Sequence, residues 1–154
     1  MNFLTSFTSP WGIGYLEWNH QGILNLFLPG TVFDRSKYIE KEIEPYNAVK
    51  QLNLYFEKKL RHFDIPLVIE GTEFQKAVWK GLGEIPYGET WSYSRLATFI
   101  DSPKSSRAVG NANHANPIPI IIPCHRVVRA DGGLGGYGGG VSLKENLITL
   151  ESVD

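Results

Sequence analysis

The sequence predicts an α+β fold in two parts. A small N-terminal antiparallel sheet with one helix is followed by a mostly helical domain containing a helix-turn-helix and a short strand at the segment around the single cysteine. Three features carry this expectation. Residues 1–33 alternate short β-like runs with turn residues, residues 47–63 switch to apolar side chains at helical spacing, and from Gly71 the pattern is helix, turn, helix, interrupted by a proline-rich apolar run. The change of pattern sets expected domains at residues 1–70 and 71–154.

Phe3–Thr8, Gly12–Trp18 and Ile23–Leu28, punctuated by Pro10, Gln21-Gly22 and Pro29-Gly30, read as an antiparallel meander. From Asn47 to Phe63, Val49, Leu52, Tyr55, Phe56, Leu60 and Phe63 fall on helical spacing, so one helix covers one sheet face. Leu67–Ile69 has the composition of a last strand. Thr72 with Gln75 fits a capping box, and Phe74, Ala77, Val78 and Leu82 continue as an apolar stripe closed by Gly81 and Gly83. After the turn Ile85-Pro86-Tyr87-Gly88, Ser92 caps an expected helix Tyr93–Ile100. Ser102, with Pro103 at the first helical position, starts another that runs to about Asn113. Two short helices around Asp101-Ser102-Pro103 have the layout of a helix-turn-helix. The second carries Arg107, Ala108, Gly110 and Ala112, small side chains with one strong cation, which suits close approach to a partner on one face and tight packing on the other. Ser142 and Glu145 match a capping box for a final helix reaching about Glu151.

At 154 residues, 42% hydrophobic and 20% charged, the chain has enough apolar material for a core and too little charge for a disordered polypeptide. No run approaches the roughly 18 apolar residues of a membrane span, and Met1–Pro10 lacks the basic flank and apolar region of a secretory signal. A cytoplasmic location is expected. One cysteine excludes an internal disulfide and a Cys-rich zinc site, and it fits a reducing compartment. The net charge of −1 argues against a globally basic nucleic-acid binder, yet residues 74–130 carry seven Lys/Arg against three Asp/Glu. Such a local field steers polyanions.

The chemistry concentrates in Pro123-Cys124-His125-Arg126-Val127-Val128, after Asn116-Pro117-Ile118-Pro119 and Ile120–Ile122. A thiol with an imidazole next in sequence suits an activated nucleophile, because the thiolate is the reactive form. A lone cysteine in an apolar run is more often an ordinary core residue, and neighbours on a strand point to opposite faces. The glycine-rich stretch Leu134–Gly140 around Tyr137 lacks the Gly-Lys-Ser/Thr ending of a phosphate loop and fits a flexible rim or a backbone-lined pocket. Glu145 is open to helix capping or to a role beside the imidazole.

The string Ile120–Val128 resembles the active-site signature of the methylated-DNA–protein-cysteine methyltransferases, or O6-alkylguanine-DNA alkyltransferases. The similarity extends from Gly71 to Leu150 through Phe74-Gln75, Val78-Trp79, Pro86-Tyr87-Gly88-Glu89, Ser92-Tyr93, Arg107-Ala108-Val109-Gly110, Asn116-Pro117, Pro119 and Gly136-Tyr137, in the family's order. Residues 1–70 match only in general character. The resemblance implies DNA repair by direct reversal: one-time, self-inactivating transfer of the alkyl group from O6-alkylguanine to Cys124, with O4-alkylthymine as a further candidate substrate.

Carried over by motif, Cys124 is the acceptor, His125 takes its proton through a water, and Glu145 orients the imidazole. Tyr93 donates a proton to the departing guanine, and Asn116 ties the helix-turn-helix to the reactive loop. Arg107 fills the stack left by a flipped base. Ala108 and Ala112 let their helix lie in the minor groove, with Ser92, Tyr93 and Lys104 also facing DNA. Pro119, Val127, Tyr137 and Gly138 wall the pocket, Gly138 standing where some members have a serine.

No cofactor and no metal are expected, since the first domain has no cysteine and His20 with His62 cannot complete a tetrahedral site. The expected partner is double-stranded DNA containing O6-alkylguanine, with no membrane and a monomeric state. Two alternatives remain: an alkyltransferase-like protein that binds lesions without accepting the alkyl group, a class lacking the cysteine, and a Cys-His hydrolase, which the helix-turn-helix and Arg107 fit poorly. Turnover separates the three, being stoichiometric, absent or multiple.

Overall fold

Alternation of buried and exposed side chains builds the N-terminal sheet. In the computed structural model, which describes residues 1–152, the chain divides into two units, Met1–Ile69 and the remainder from Glu70. In the first, β1 (Phe3–Ser9) pairs antiparallel with β2 (Gly12–Trp18), and β2 with β3 (Ile23–Phe27). Gly14 lies opposite Phe7 because a side chain there would enter the Phe7 ring, a Cβ falling 2.2 Å from it. A two-residue strand, β4 (Ile39–Glu40), adds in parallel to β1 and gives the order β3-β2-β1-β4. Two residues are too short for a periodic signal, which is why the pattern did not announce it. α1 (Ala48–Phe56) buries Ala48, Leu52 and Tyr55, and Glu44 satisfies its first amides by accepting from the Ala48 and Val49 N–H groups.

The helix expected to reach Phe63 stops at Phe56. Lys58 adopts φ 63°, the Lys59 N–H closes on the Leu54 carbonyl, and the chain folds back so that Phe63 lies against Tyr55. The apolar side chains at helical spacing beyond Phe56 thus reach the same core from a loop. Leu67 forms a single bridge to Ile23 in place of a strand.

The second unit packs helices around a two-stranded parallel ladder. α2 (Glu73–Leu82) begins with the expected capping box, the Thr72 hydroxyl accepting from the Gln75 N–H and the Gln75 side chain accepting from the Thr72 N–H. β5 (Trp91–Ser92) runs into α3 (Tyr93–Phe99), whose cap is Ser92 as expected. α4 (Ser106–His114) begins later than expected: Asp101 takes φ 61° and the Ser105 N–H closes a turn on the Ser102 carbonyl, leaving Pro103 in the turn between the two helices. β6 (Val127–Val128) pairs in parallel with β5, so the strand expected at the reactive segment is short and starts after Cys124.

α5 (Val141–Glu151) is entered through Gly140 at φ 95°, and no side chain caps it. Ser142 therefore lies inside the first turn, and its capping box with Glu145 does not form. No helix among the described residues is long and apolar enough to cross a membrane.

α4 is held by more than apolar packing. The Trp79 indole N–H donates to the Ala112 carbonyl at 2.8 Å, and Val109 and Ala112 are buried beside Val78 and Leu82. Replacing Trp79 by Phe keeps most of the packing but removes the bond; chemical denaturation is expected to show a loss of about 1 kcal/mol. An unchanged stability would mean that apolar packing alone seats α4.

Candidate active site

Cys124 opens a single 3-10 turn, Cys124–Arg126, immediately after Pro123. This turn answers the objection that neighbours on a strand diverge: the chain is not extended here, and Cys124, His125 and Arg126 are all buried. Pro119 and Ile122 form an isolated bridge just upstream, and buried Ile120 is held at φ 74°, a costly conformation for a β-branched residue. Asn116 ties this loop to the end of α4: its amide donates to the Ile122 carbonyl at 2.7 Å, and its oxygen accepts from the Ile118 N–H. Burial pushes the Cys124 thiol up to about 11, while the Asn116 side chain and the Lys144 ammonium pull the other way. The resting group is therefore a neutral thiol and needs a base.

His125 is fully buried, and burial pulls its pKa below the ordinary value even though Glu151 favours the charged form. Its Nε2 lies 2.7 Å from Glu151 Oε2. Burial would raise the Glu151 carboxyl, but the bonds from His125 and Arg126 outweigh it and hold it at about 2. The carboxylate can only accept, so Nε2 carries the proton and Nδ1 of the neutral ring is left as the basic nitrogen. Arg126 reinforces the carboxylate with two bonds, Nε to Oε1 at 2.8 Å and Nη2 to Oε2 at 3.0 Å, and its Nη1 donates to the Ile85 carbonyl.

The carboxylate partner expected at Glu145 is thus corrected to Glu151. On α5 the buried positions are Leu143, Lys144, Leu147 and Glu151, and Glu145 is exposed. The correction was available in the sequence. Leu143, Leu147 and Glu151 repeat every four residues, so an acid stood in the phase of the apolar stripe, whereas Glu145 is out of phase.

Lys144 was not anticipated either. Its side chain is buried, and its Nζ donates to the Val127 carbonyl at 2.6 Å and to the Gly136 carbonyl at 3.4 Å. Burial lowers it to about 8, with Cys124 acting in the opposite direction. Tyr93, the first residue of α3, is wedged between α4 and the glycine-rich loop. A Cβ on Gly110 would lie 3.7 Å from its ring, and one on Gly135, at φ 75°, would lie 2.6 Å from its hydroxyl and 3.5 Å from Lys144 Nζ. Burial raises the Tyr93 phenol, as does Cys124, so it is a neutral donor. Cys124, Tyr93 and Lys144 therefore share one locus.

Pro119, Val127 and Tyr137 are buried, and burial followed by Cys124 raises the Tyr137 phenol. Gly138 is exposed, with open space where a side chain would project.

On α4, Arg107 and Ala108 are exposed. Ala112 is not: it lies on the packed face, with its carbonyl bonded to Trp79, so it cannot belong to an outward-facing surface. The helix phase decides this, since Val109, Ala112 and Asn113 point inward and Arg107, Ala108, Asn111 and His114 outward. Ser92 is half-buried and its hydroxyl is engaged as the α3 cap, while Lys104 is exposed in the turn.

Comparison with known proteins follows the same lines. A family model for the DNA-binding domain of 6-O-methylguanine DNA methyltransferase matches residues 73–153. A methylated-DNA–protein-cysteine methyltransferase of Methanosarcina barkeri is 49% identical over 146 residues, covering 93% of this chain and 92% of its own length. The protein of that name from Mycobacterium tuberculosis is 46% identical over 142 residues, covering 84% and 86%. The crystal structure of Mycobacterium tuberculosis OGT in complex with DNA superposes with a TM-score of 0.89 at 44% identity, over 97% of this chain and 92% of that one.

His125 and Glu151 both bind protons less readily in the folded chain than in the unfolded one. Their contributions to stability are complete above the ordinary His value of 6.5 and are lost as pH falls, His125 first and Glu151 between 4.5 and about 2. The melting temperature is expected to decline steadily below about pH 6.5. Glu151→Gln is expected to cost about 3 kcal/mol at neutral pH, by leaving Arg126 buried without its partner, and to flatten the acid limb. A Glu151→Gln curve parallel to wild type would remove the carboxylate from this role.

Proposed function

The chain belongs to the methylated-DNA–protein-cysteine methyltransferase family, and from that premise we propose that it repairs DNA by moving the alkyl group of O6-alkylguanine onto Cys124, once per molecule. The observation that carries the reading is one buried turn that holds a neutral thiol and, as the next residue, a neutral imidazole whose Nε2 is held by Glu151. Such a thiol is unreactive at rest and becomes a nucleophile when His125 Nδ1 takes its proton. The sulfur then attacks the sp³ carbon on O6, the C–S bond forms as the C–O6 bond breaks, and guanine leaves with the electron pair. Tyr93, a neutral phenol, supplies a proton to the departing base, and the Lys144 ammonium stabilises negative charge on sulfur before the attack and on the phenol oxygen after it. The thioether that results does not return the alkyl group, so the protein is consumed.

The atom attacked lies inside a duplex, so the base must be extruded at a cost of a few kcal/mol, least for a weakened pair. Arg107, exposed near the start of α4, suits the vacated stack, and Ala108 beside it allows close approach along the minor groove. Gly138 leaves the rim without a side-chain hydroxyl, so recognition of the O6 side falls to backbone amides. Double-stranded DNA with the alkylated guanine is the proposed substrate, a monomer in the cytoplasm the proposed working form, and O4-alkylthymine a substrate to be tried.

Duplex DNA bearing isotopically labelled O6-methylguanine provides the test. Methyl uptake is expected to stop at one equivalent and to appear by mass on the peptide containing Cys124. Cys124→Ala is expected to abolish uptake while duplex binding stays measurable. Uptake beyond one equivalent, or at another residue, overturns the reading.

Arg107→Ala is expected to slow repair in duplex DNA far more than dealkylation of free O6-benzylguanine, because only the duplex requires extrusion. Tyr93→Phe is expected to slow both. Equal losses on the two substrates for Arg107→Ala would take the stacking role from it.

A further inference from the structure

Among the described residues, four buried side-chain polar atoms have no hydrogen-bond partner in the protein: Trp91 Nε1, Asn113 Oδ1, His125 Nδ1 and Tyr137 Oη. Three of these belong to residues around Cys124. The Asn113 amide nitrogen reaches the Cys124 carbonyl at 3.4 Å, His125 is the next residue, and Cys124 adds to burial in raising the Tyr137 phenol. Buried polar groups left unpaired are costly, and in native interiors they are ordinarily satisfied by protein or by ordered water.

Their chemistry is complementary to one molecule. Nε2 is committed to Glu151, so His125 Nδ1 offers a lone pair. The Asn113 nitrogen faces a carbonyl, so the oxygen is the free end and also an acceptor. The Tyr137 hydroxyl and the Cys124 thiol are donors. Two donors and two acceptors match the two lone pairs and two hydrogens of water.

We propose that Asn113 is a positioning residue: with Tyr137 it holds a buried water between Cys124 Sγ and His125 Nδ1, turning one water hydrogen onto its own Oδ1 so that the other points at the imidazole. The proposal rests on the alkyl-acceptor reading of Cys124. In the step it serves, the S–H bond breaks as the water takes that proton, the water passes its other hydrogen to Nδ1, and the water is regenerated beside a thiolate and an imidazolium facing Glu151. Nothing is oxidised or reduced. Asn113 is in the last turn of α4, the helix that carries Arg107 near its start, so the helix assigned to DNA also orients the proton relay.

Single-turnover methyl transfer from an O6-methylguanine duplex, followed across pH, tests this with Asn113→Leu, which keeps the size and removes both polar ends, and with Asn113→Ser, which restores an acceptor. Asn113→Leu is expected to be about tenfold slower or more near neutrality and to regain wild-type rates as pH rises towards the thiol's own ionisation, where no base is needed. Asn113→Ser is expected to lose less and to recover in the same direction. Imidazole nitrogen NMR is expected to show the Nε2–H tautomer of His125 in wild type and in Asn113→Leu alike, since Glu151 fixes it, with the Nδ1 resonance displaced in Asn113→Leu by loss of its hydrogen bond. A merely structural residue would scale the rate equally at every pH; that result, or a wild-type rate in Asn113→Leu, overturns the proposal. If Asn113→Leu does not fold, a pH-independent loss in Asn113→Ser overturns it as well. Wild-type protein that takes up no methyl group sinks the acceptor reading itself, whereas normal wild-type uptake with unaffected variants sinks only the role of Asn113.

Discussion

One buried carboxylate organises the second unit. Glu151 accepts from His125 and, through two bonds, from Arg126, while Arg126 also donates to the Ile85 carbonyl. Three separate pieces of chain are joined by it and its partner Arg126: the end of α5, the turn that carries Cys124, and, through Arg126, the segment following α2. Removing one partner from such a group leaves an uncompensated charge in the interior, a larger penalty than the net worth of the ion pair. The His125 tautomer, the orientation of its ring and the path of the Cys124 turn all depend on Glu151 staying ionised, and the hydrogen bonds from His125 and Arg126 are what keep it so.

The same arrangement sets the protonation states around it. Because Arg126 supplies the compensating charge, the imidazole has no need to be positive, and its burial keeps it neutral. The thiol beside it is also neutral, for the same reason of burial. An exposed low-pKa cysteine would react with any electrophile; this one is inert until a base acts on it within a closed site, as suits a proposed acceptor that can be used only once. Lys144 is a charged side chain near enough to Cys124 for each to shift the other's ionisation, and its two carbonyl partners compensate part of its burial.

Glycines bring the pieces close enough. Tyr93 lies between Gly110 of α4 and Gly135 of the loop after β6, and a methyl group at Gly135 would collide with its hydroxyl. The small residues of α4 therefore divide by face. Gly110 and Ala112 serve packing, against Tyr93 and Trp79, and Ala108 lies outward beside Arg107. A helix with few large side chains fits tightly against the core and still presents a low outer surface.

Local pattern and chemistry were legible in the sequence wherever they depend on near neighbours: the meander, the Thr72-Gln75 and Ser92 caps, the pair of short helices, and the Cys124-His125 segment with Asn116 upstream. These are decided by spacings of two to four residues and by turn and cap chemistry that acts within one turn of chain. The tertiary structure alone decided the rest. α1 ends at Phe56 because the chain turns at Lys58 and brings Phe63 back against Tyr55, and Ala112 faces inward, its carbonyl taken by Trp79. Glu151 is the exception: it shares the four-residue phase of Leu143 and Leu147, so the sequence already favoured it over Glu145, and packing settled only which partners it meets. Asn113 and Lys144 gain their meaning only from distant partners, one on the Cys124 carbonyl and the other on the Val127 carbonyl. A pairing between residues far apart in the chain leaves no periodic trace, since burial and the demand that every buried polar group find a partner are settled only when the pieces pack.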